Sequence, residues 1–135
     1  MDIRLLERVQ KRWTREVSGL NVLSYPERLR RLDLFSVQGR LLRADMIMTW
    51  KIFNQKCALK ANELFTMNVT SRRGHSLKIF HPRVRTNLRM RAFAVRIIPT
   101  WNALAADTVE SQSLDSFKRL LKRDLGDRLF ACFDD

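Results

Sequence analysis

Apolar residues recur at helical spacing over most of this chain. Across Asp2 to Val17, Leu5, Val9 and Trp13 fall at i, i+4 and i+8, with Leu6 and Val17 alongside. Arg4, Arg8, Lys11, Arg12 and Arg15 occupy the other side. The pattern predicts a helix with Leu5, Val9 and Trp13 facing a core, ended by Ser18 and Gly19. Ser24-Tyr25-Pro26-Glu27 has the form of a capping box, with proline in a first turn where its missing N–H costs nothing. A short helix is expected to follow through Leu32. Ser36 is placed to cap a longer helix from Val37 to about Gln55. There, one row of apolar positions is Leu41, Met48 and Ile52, and a second is Leu42, Met46, Trp50 and Phe53. Two adjacent rows imply burial on more than one side, so this helix is expected at the centre of the core. Its methionines, Met46 and Met48, also suit an adaptable groove, but their spacing is that of ordinary core positions.

The periodicity fades after Gln55. Residues 62–68 and Ser76 to Phe80 carry strand-forming residues, with a turn expected over Thr70 to Gly74 and a stop at Pro82. A short β-hairpin near residues 64–80 is the expectation. Helical spacing returns in Ala92 to Ala105, with Phe93, Ile97, Trp101 and Leu104 in one stripe. Pro99 is expected to kink that helix or mark its start. Ser113 introduces a last helix with Leu114, Phe117, Leu120, Leu121 and Leu125 on one face, stopped by Gly126. The fold class read from these patterns is mainly α: a single domain of about five helices over residues 1–127, with a small β element and a loosely held acidic tail over residues 128–135. No internal repeat or low-complexity segment interrupts it.

Charge changes this picture in one region. Residues 64–106 contain no aspartate or glutamate, yet carry Arg72, Arg73, Lys78, Arg83, Arg85, Arg89, Arg91 and Arg96. Seven of these eight cations lie between Arg72 and Arg91, spaced among Ile79, Phe80, Val84, Leu88 and Met90. The last 29 residues, by contrast, hold seven anions and five cations. Over the whole chain of 135 residues the formal net charge is +12. A block of like charge repels itself unless an anion neutralises it, and the guanidinium fork grips phosphate in a bidentate manner. A solvated basic loop has the same composition, but a polyanion is the partner that such a block suits best. Arg72, Arg73, His75, Lys78, Arg83, Arg85, Arg89 and Arg91 are therefore the candidate nucleic-acid contacts. His75, Phe80 and His81 are the rings available for stacking on unpaired bases.

Other chemistry finds little support. Cys57, Cys132, His75 and His81 match no zinc-ligand spacing, and the four glycines form no phosphate loop, so no metal or cofactor is expected. Ser76 beside His75 lacks the strained elbow of a nucleophile, and reads as a polar residue at a strand end. Asp134 and Asp135 have no second strand to complete a polymerase-type metal turn. Two distant cysteines, a charged N-terminal stretch and no apolar run near the roughly 20 residues of a bilayer span point to an intracellular protein, nuclear or cytoplasmic, with no membrane partner.

The order of several short motifs resembles the C-terminal region of jockey-like non-LTR retrotransposon polyproteins. These are Leu5-Leu6-Glu7-Arg8-Val9-Gln10-Lys11-Arg12, the run from Leu23 to Leu32, Arg40-Leu41-Leu42-Arg43-Ala44-Asp45-Met46, and Arg73-Gly74-His75-Ser76-Leu77-Lys78. Pro82-Arg83, Arg85-Thr86-Asn87, Arg96-Ile97-Ile98, Trp101-Asn102-Ala103-Leu104 and Ser116-Phe117-Lys118 continue the series. The resemblance covers about residues 3–125 and lies in the order of the motifs rather than in any one of them. It implies a non-catalytic appendage downstream of a reverse transcriptase, an RNA-directed DNA polymerase of a mobile element, with the polymerase and endonuclease residues lying upstream. Such a fragment is not itself an enzyme. Its implied partners are the backbone of template RNA or target DNA and the upstream reverse-transcriptase domain. A structural or protein-interaction module completing the polymerase, or a relic of the element, are the alternatives. Ala105 stands where the resembled proteins usually have proline, Ala92-Phe93-Ala94 where they often pair aromatics, and Gly39 where a larger residue is common.

Overall fold

The computed structural model describes residues 3–68, 74–82 and 92–132. The described helices are α1 (Ile3–Arg15), α2 (Tyr25–Leu32), α3 (Val37–Phe53), α4 (Ala61–Leu64), α5 (Phe93–Arg96), α6 (Ile98–Ala103), α7 (Ala106–Val109) and α8 (Leu114–Leu125), followed by a 3-10 turn over Gly126–Leu129. Of these, α1, α2, α3 and α8 lie where the sequence placed them, and the helix expected over Ala92 to Ala105 is divided into α5 and α6. The fold is mainly helical. The β-hairpin expected near residues 64–80 is not formed: among the described residues there is no strand, only an isolated antiparallel bridge between Met67 and Ile79. Part of the stretch read as its first strand is instead the helical turn α4. No helix among the described residues is long and apolar enough to cross a membrane.

Contacts divide the chain into two compact units, one formed by Met1–Arg43 with Leu125–Asp135 and the other by Ala44–Asp124. The first unit is assembled around a carboxylate. Glu7 on α1 is 4% exposed, and its two oxygens accept from the backbone N–H groups of Val37 and Gln38, each at 3.0 Å. These amides open α3 and have no partner inside the helix, so a carboxylate there satisfies them and also meets the positive end of the helix dipole. The Tyr25 hydroxyl donates to the same carboxylate. Burial, then the bond to Glu7, pushes the Tyr25 phenol well above its ordinary pKa, so it remains a donor. Gln10 joins the group by donating to the Tyr25 oxygen at 2.9 Å and to the Phe35 carbonyl at 3.0 Å. Nearer the end of α1, the guanidinium of buried Arg28 donates to Thr14 Oγ1 at 3.1 Å, the Leu23 carbonyl at 2.7 Å and the Lys11 carbonyl at 3.3 Å.

This polar underside inverts α1 relative to its periodicity. Glu7 and Thr14 are buried, while Leu5, Val9 and Trp13 are 56%, 62% and 57% exposed. The expected inward face of the helix therefore points out. Within the stretch read as a loose tail, Leu129 and Phe130 are held in the first unit. Leu129 is 1% exposed, and its carbonyl accepts from the Ser36 amide at 2.9 Å. Phe130 meets Phe35 edge-on with ring centres 5.9 Å apart. Ser36 caps α3 as expected, its hydroxyl accepting from the Gly39 amide at 2.9 Å.

The second unit is built on stacked rings. Phe53 at the end of α3 lies 5.2 Å from Trp101 and 5.6 Å from Phe65, nearly parallel to both. Trp50 stacks on Phe117 of α8 at 5.7 Å. Such contacts combine large apolar burial with favourable ring geometry. Pro99 starts a new helix: α5 ends at Arg96, and α6 takes the proline into its first turn. Helix α7 was not expected from the sequence. Asp124 of α8 caps it, accepting from the Ala105 amide at 3.0 Å and the Thr108 hydroxyl at 2.6 Å. Arg123 beside Asp107 holds that carboxyl below its ordinary pKa.

Gly39 gives a direct test of the first unit. A Cβ at this position would lie 2.2 Å from the Leu129 carbonyl oxygen, a backbone atom with no side-chain freedom to yield. Gly39→Ala is expected to destabilise the protein by about 1–3 kcal/mol, as overpacking of a close contact does. Urea denaturation checks this, and an unchanged midpoint would contradict the tight approach.

Candidate nucleic-acid interface

Beyond residues 64–68, the acid-free stretch enters the described structure at residues 74–82 and 92–106. Gly74 opens the first piece at φ +79°, a left-handed conformation that glycine adopts without cost. The piece then runs along α6, where Trp101 and Asn102 hold it through four hydrogen bonds. His75 Nε2 lies 2.8 Å from the Trp101 carbonyl, and the Trp101 indole donates to the Leu77 carbonyl at 2.9 Å. The Asn102 side chain pairs with both polar groups of the Ile79 backbone, accepting from its N–H and donating to its carbonyl, each at 2.8 Å. A side-chain amide thus takes the place a neighbouring strand would have taken. On the other side the Met67–Ile79 bridge consists of two bonds, from the Asn68 amide to the Lys78 carbonyl and from the Phe80 amide to the Thr66 carbonyl. With α4 before it and a turn at Ser76–Leu77, no longer ladder forms among the described residues.

His75 is one of the sequence-predicted contacts, and the structure gives it another role. It is 2% exposed and packs edge-on against Trp101 at 5.8 Å. Its Nδ1 accepts from the Leu77 amide at 3.1 Å, so Nε2 carries the proton and donates to the Trp101 carbonyl. The ring is a tie inside the fold, with neither nitrogen left for a ligand and no open face for stacking. Phe80, by contrast, is 53% exposed, and His81 is also at the surface. Lys78 is half-buried. Of the eight predicted contacts, Arg72, Arg73, Arg83, Arg85, Arg89 and Arg91 lie outside the described residues.

Arg96, the last cation of the stretch, is a structural partner. Its Nε and Nη2 donate to the two oxygens of Asp45 on α3, each at 2.9 Å, in a bidentate pair. Asp45 is 8% exposed, so the guanidinium compensates a nearly buried carboxylate. The structure thus sorts the stretch by role: Arg96 serves the core, His75 serves the backbone, and Lys78 lies on a segment pinned at its base. The importance of Asn102 was not legible in its own neighbourhood, since its partner is 23 residues away.

No protein-family model, curated protein or solved structure matches this chain.

Two outcomes follow for the pinned segment. Asn102→Ala leaves the N–H and carbonyl of Ile79 without partners, and is expected to destabilise the protein by about 1–3 kcal/mol, the cost of an unmet buried polar group. Equilibrium unfolding measures this, and a neutral effect would deny the amide its pairing role. The second concerns pH. Desolvation lowers the His75 pKa from its ordinary 6.5, so the unfolded chain binds a proton more readily than the folded one. The His75 contribution to stability is then complete above pH 6.5 and is lost as the pH falls towards the lower folded value. Stability measured from pH 7.5 to 5, both rough bounds around the free-histidine range, should fall in the native chain more steeply than in His75→Gln. Equal slopes would contradict a neutral, buried imidazole.

Proposed function

We propose that this chain is a non-catalytic nucleic-acid-binding module, the C-terminal appendage of a protein resembling retrotransposon reverse transcriptases. The observation that carries this reading is the charge of residues 64–106, eight cations without a single anion. The one member of the group outside the 72–91 window, Arg96, is committed to Asp45, whereas Lys78 stands on a segment tied down beneath it by Trp101 and Asn102. Lys78 with Arg72, Arg73, Arg83, Arg85, Arg89 and Arg91 supplies phosphate contacts. These bind the backbone of RNA or DNA without reading its sequence. Phe80 and His81 supply exposed rings beside the cations, suited to unpaired bases. His75 makes no phosphate contact in this reading and positions the segment instead.

The test is binding of the purified chain to labelled single-stranded RNA and to duplex DNA over a salt series. With five or six cations on phosphate, log K falls with log salt at a slope of roughly −4 to −5. Changing Arg83, Arg85 and Arg89 together to glutamine should make that slope shallower by about 2–3. A salt-independent affinity, or a triple variant that binds like the native chain, would remove the basis of the reading.

A further inference from the structure

The inverted helix α1 has an apolar side that the first unit leaves uncovered. Leu5, Leu6, Val9 and Trp13 are all exposed, by 41% to 62%. Leu6, Val9 and Trp13 line a shallow groove of about 380 Å³ that Val37 and Arg40 of α3 close on the far side, with Gln10 at its floor. The outward orientation does not come from weak attachment. Glu7, Gln10 and Thr14 hold the opposite face through the bonds described above, and turning the helix would strand a buried carboxylate.

We infer that this groove docks an amphipathic helix of a partner protein, one whose apolar ridge is bordered by acidic residues. Three features of the site set that chemistry. First, the exposed apolar positions run at i, i+4 and i+8 along α1, with Leu6 beside them, the spacing into which a helix ridge fits. Second, the backbone of α1 is engaged in its own helical bonds, so the partner segment must satisfy its own backbone, as a helix does. Third, both rims are cationic. Arg8 and Arg12 follow the apolar stripe along one side of α1, and Arg40 borders it on the other. Across such rims acidic residues attract and basic residues repel. A second copy of this chain presents the same cations and is disfavoured by that repulsion. A lipid surface is flat, whereas the site is a groove with one wall provided by α3.

The inference does not depend on the nucleic-acid reading, since none of its residues lies in the basic block. Its test uses the full chain and synthetic peptides of about 18 residues, each with leucines at i, i+4 and i+7, one bordered by glutamates and the other by lysines. Trp13 reports the event. Trp50 and Trp101 are buried and Trp13 is exposed, so covering the groove moves the emission of Trp13 alone to shorter wavelength. The glutamate-bordered peptide is expected to produce this shift and to bind at least about tenfold more tightly than the lysine-bordered one. Val9→Arg should abolish the shift while leaving the thermal unfolding curve unchanged, because Val9 is 62% exposed. Trp13→Phe should remove the signal. Equal affinity for the two peptides, or binding of neither, would overturn the inference. So would a stronger shift with vesicles of phosphatidylserine and phosphatidylcholine than with either peptide, or a dimer in sedimentation that Val9→Arg dissolves.

Discussion

A single carboxylate governs the first unit. Glu7 sits where the first amides of α3 and the hydroxyl of Tyr25 converge, and it is nearly out of reach of water. An ionised group in that position is tolerable only because three donors and a helix terminus face it. Those same donors need it, since the opening amides of a helix have no partners of their own. The mutual requirement fixes α1 on α3 and α2 with little freedom of rotation. The Arg28 guanidinium repeats the arrangement with opposite sign, buried and surrounded by the neutral oxygens of Thr14, Leu23 and Lys11. The first unit is therefore specified by polar geometry to an unusual degree, and the apolar side of α1 is left for another use.

The second unit follows the more ordinary rule, with Trp50, Trp101, Phe117 and Ile97 packed out of water. Its polar bonds serve a different end. Trp101 and Asn102 lend side chains and backbone to a neighbouring segment that has no regular structure to satisfy it. Irregular backbone near a core needs such partners, because unmet amides and carbonyls are costly there. The result is a segment with a rigid inner edge and an outer edge carrying Lys78, Phe80 and His81.

Several features were legible locally and several were not. The capping box at Ser24, with Glu27 reaching the Ser24 amide at 3.4 Å, involves residues three apart. The Ser36 cap and the stop at Gly126, which adopts φ +51°, are equally local. Each is set by interactions within one turn, so a pattern of a few residues suffices. The hairpin failed because alternation of β-type residues reports a preference for extended backbone, not the presence of a second strand. The two segments meet only at the Met67–Ile79 bridge, and Asn102 from a distant helix pairs the opposite edge of Ile79. His75 looked available because a histidine in a basic run resembles a ligand-facing residue, yet the indole and carbonyl of Trp101 drew it inward. The need for glycine at position 39 was equally hidden, since the Leu129 carbonyl that leaves no room for a Cβ lies some 90 residues further on.

By itself the sequence determined the helical character, most helix boundaries, the identity of α3 as a helix apolar on two rows, and the separation of a basic stretch from more acidic surroundings. These follow from periodicity, end signals and formal charge, all of which are properties of short windows. Only the tertiary structure decided which face of α1 turns inward, which cation of the basic stretch serves the core, and which side chain pairs the open edge of Ile79. For α1 the hydrophobic pattern and the polar pattern made opposite demands. The polar one prevailed because leaving four apolar side chains in water costs less than leaving a buried carboxylate and two helix-opening amides without each other.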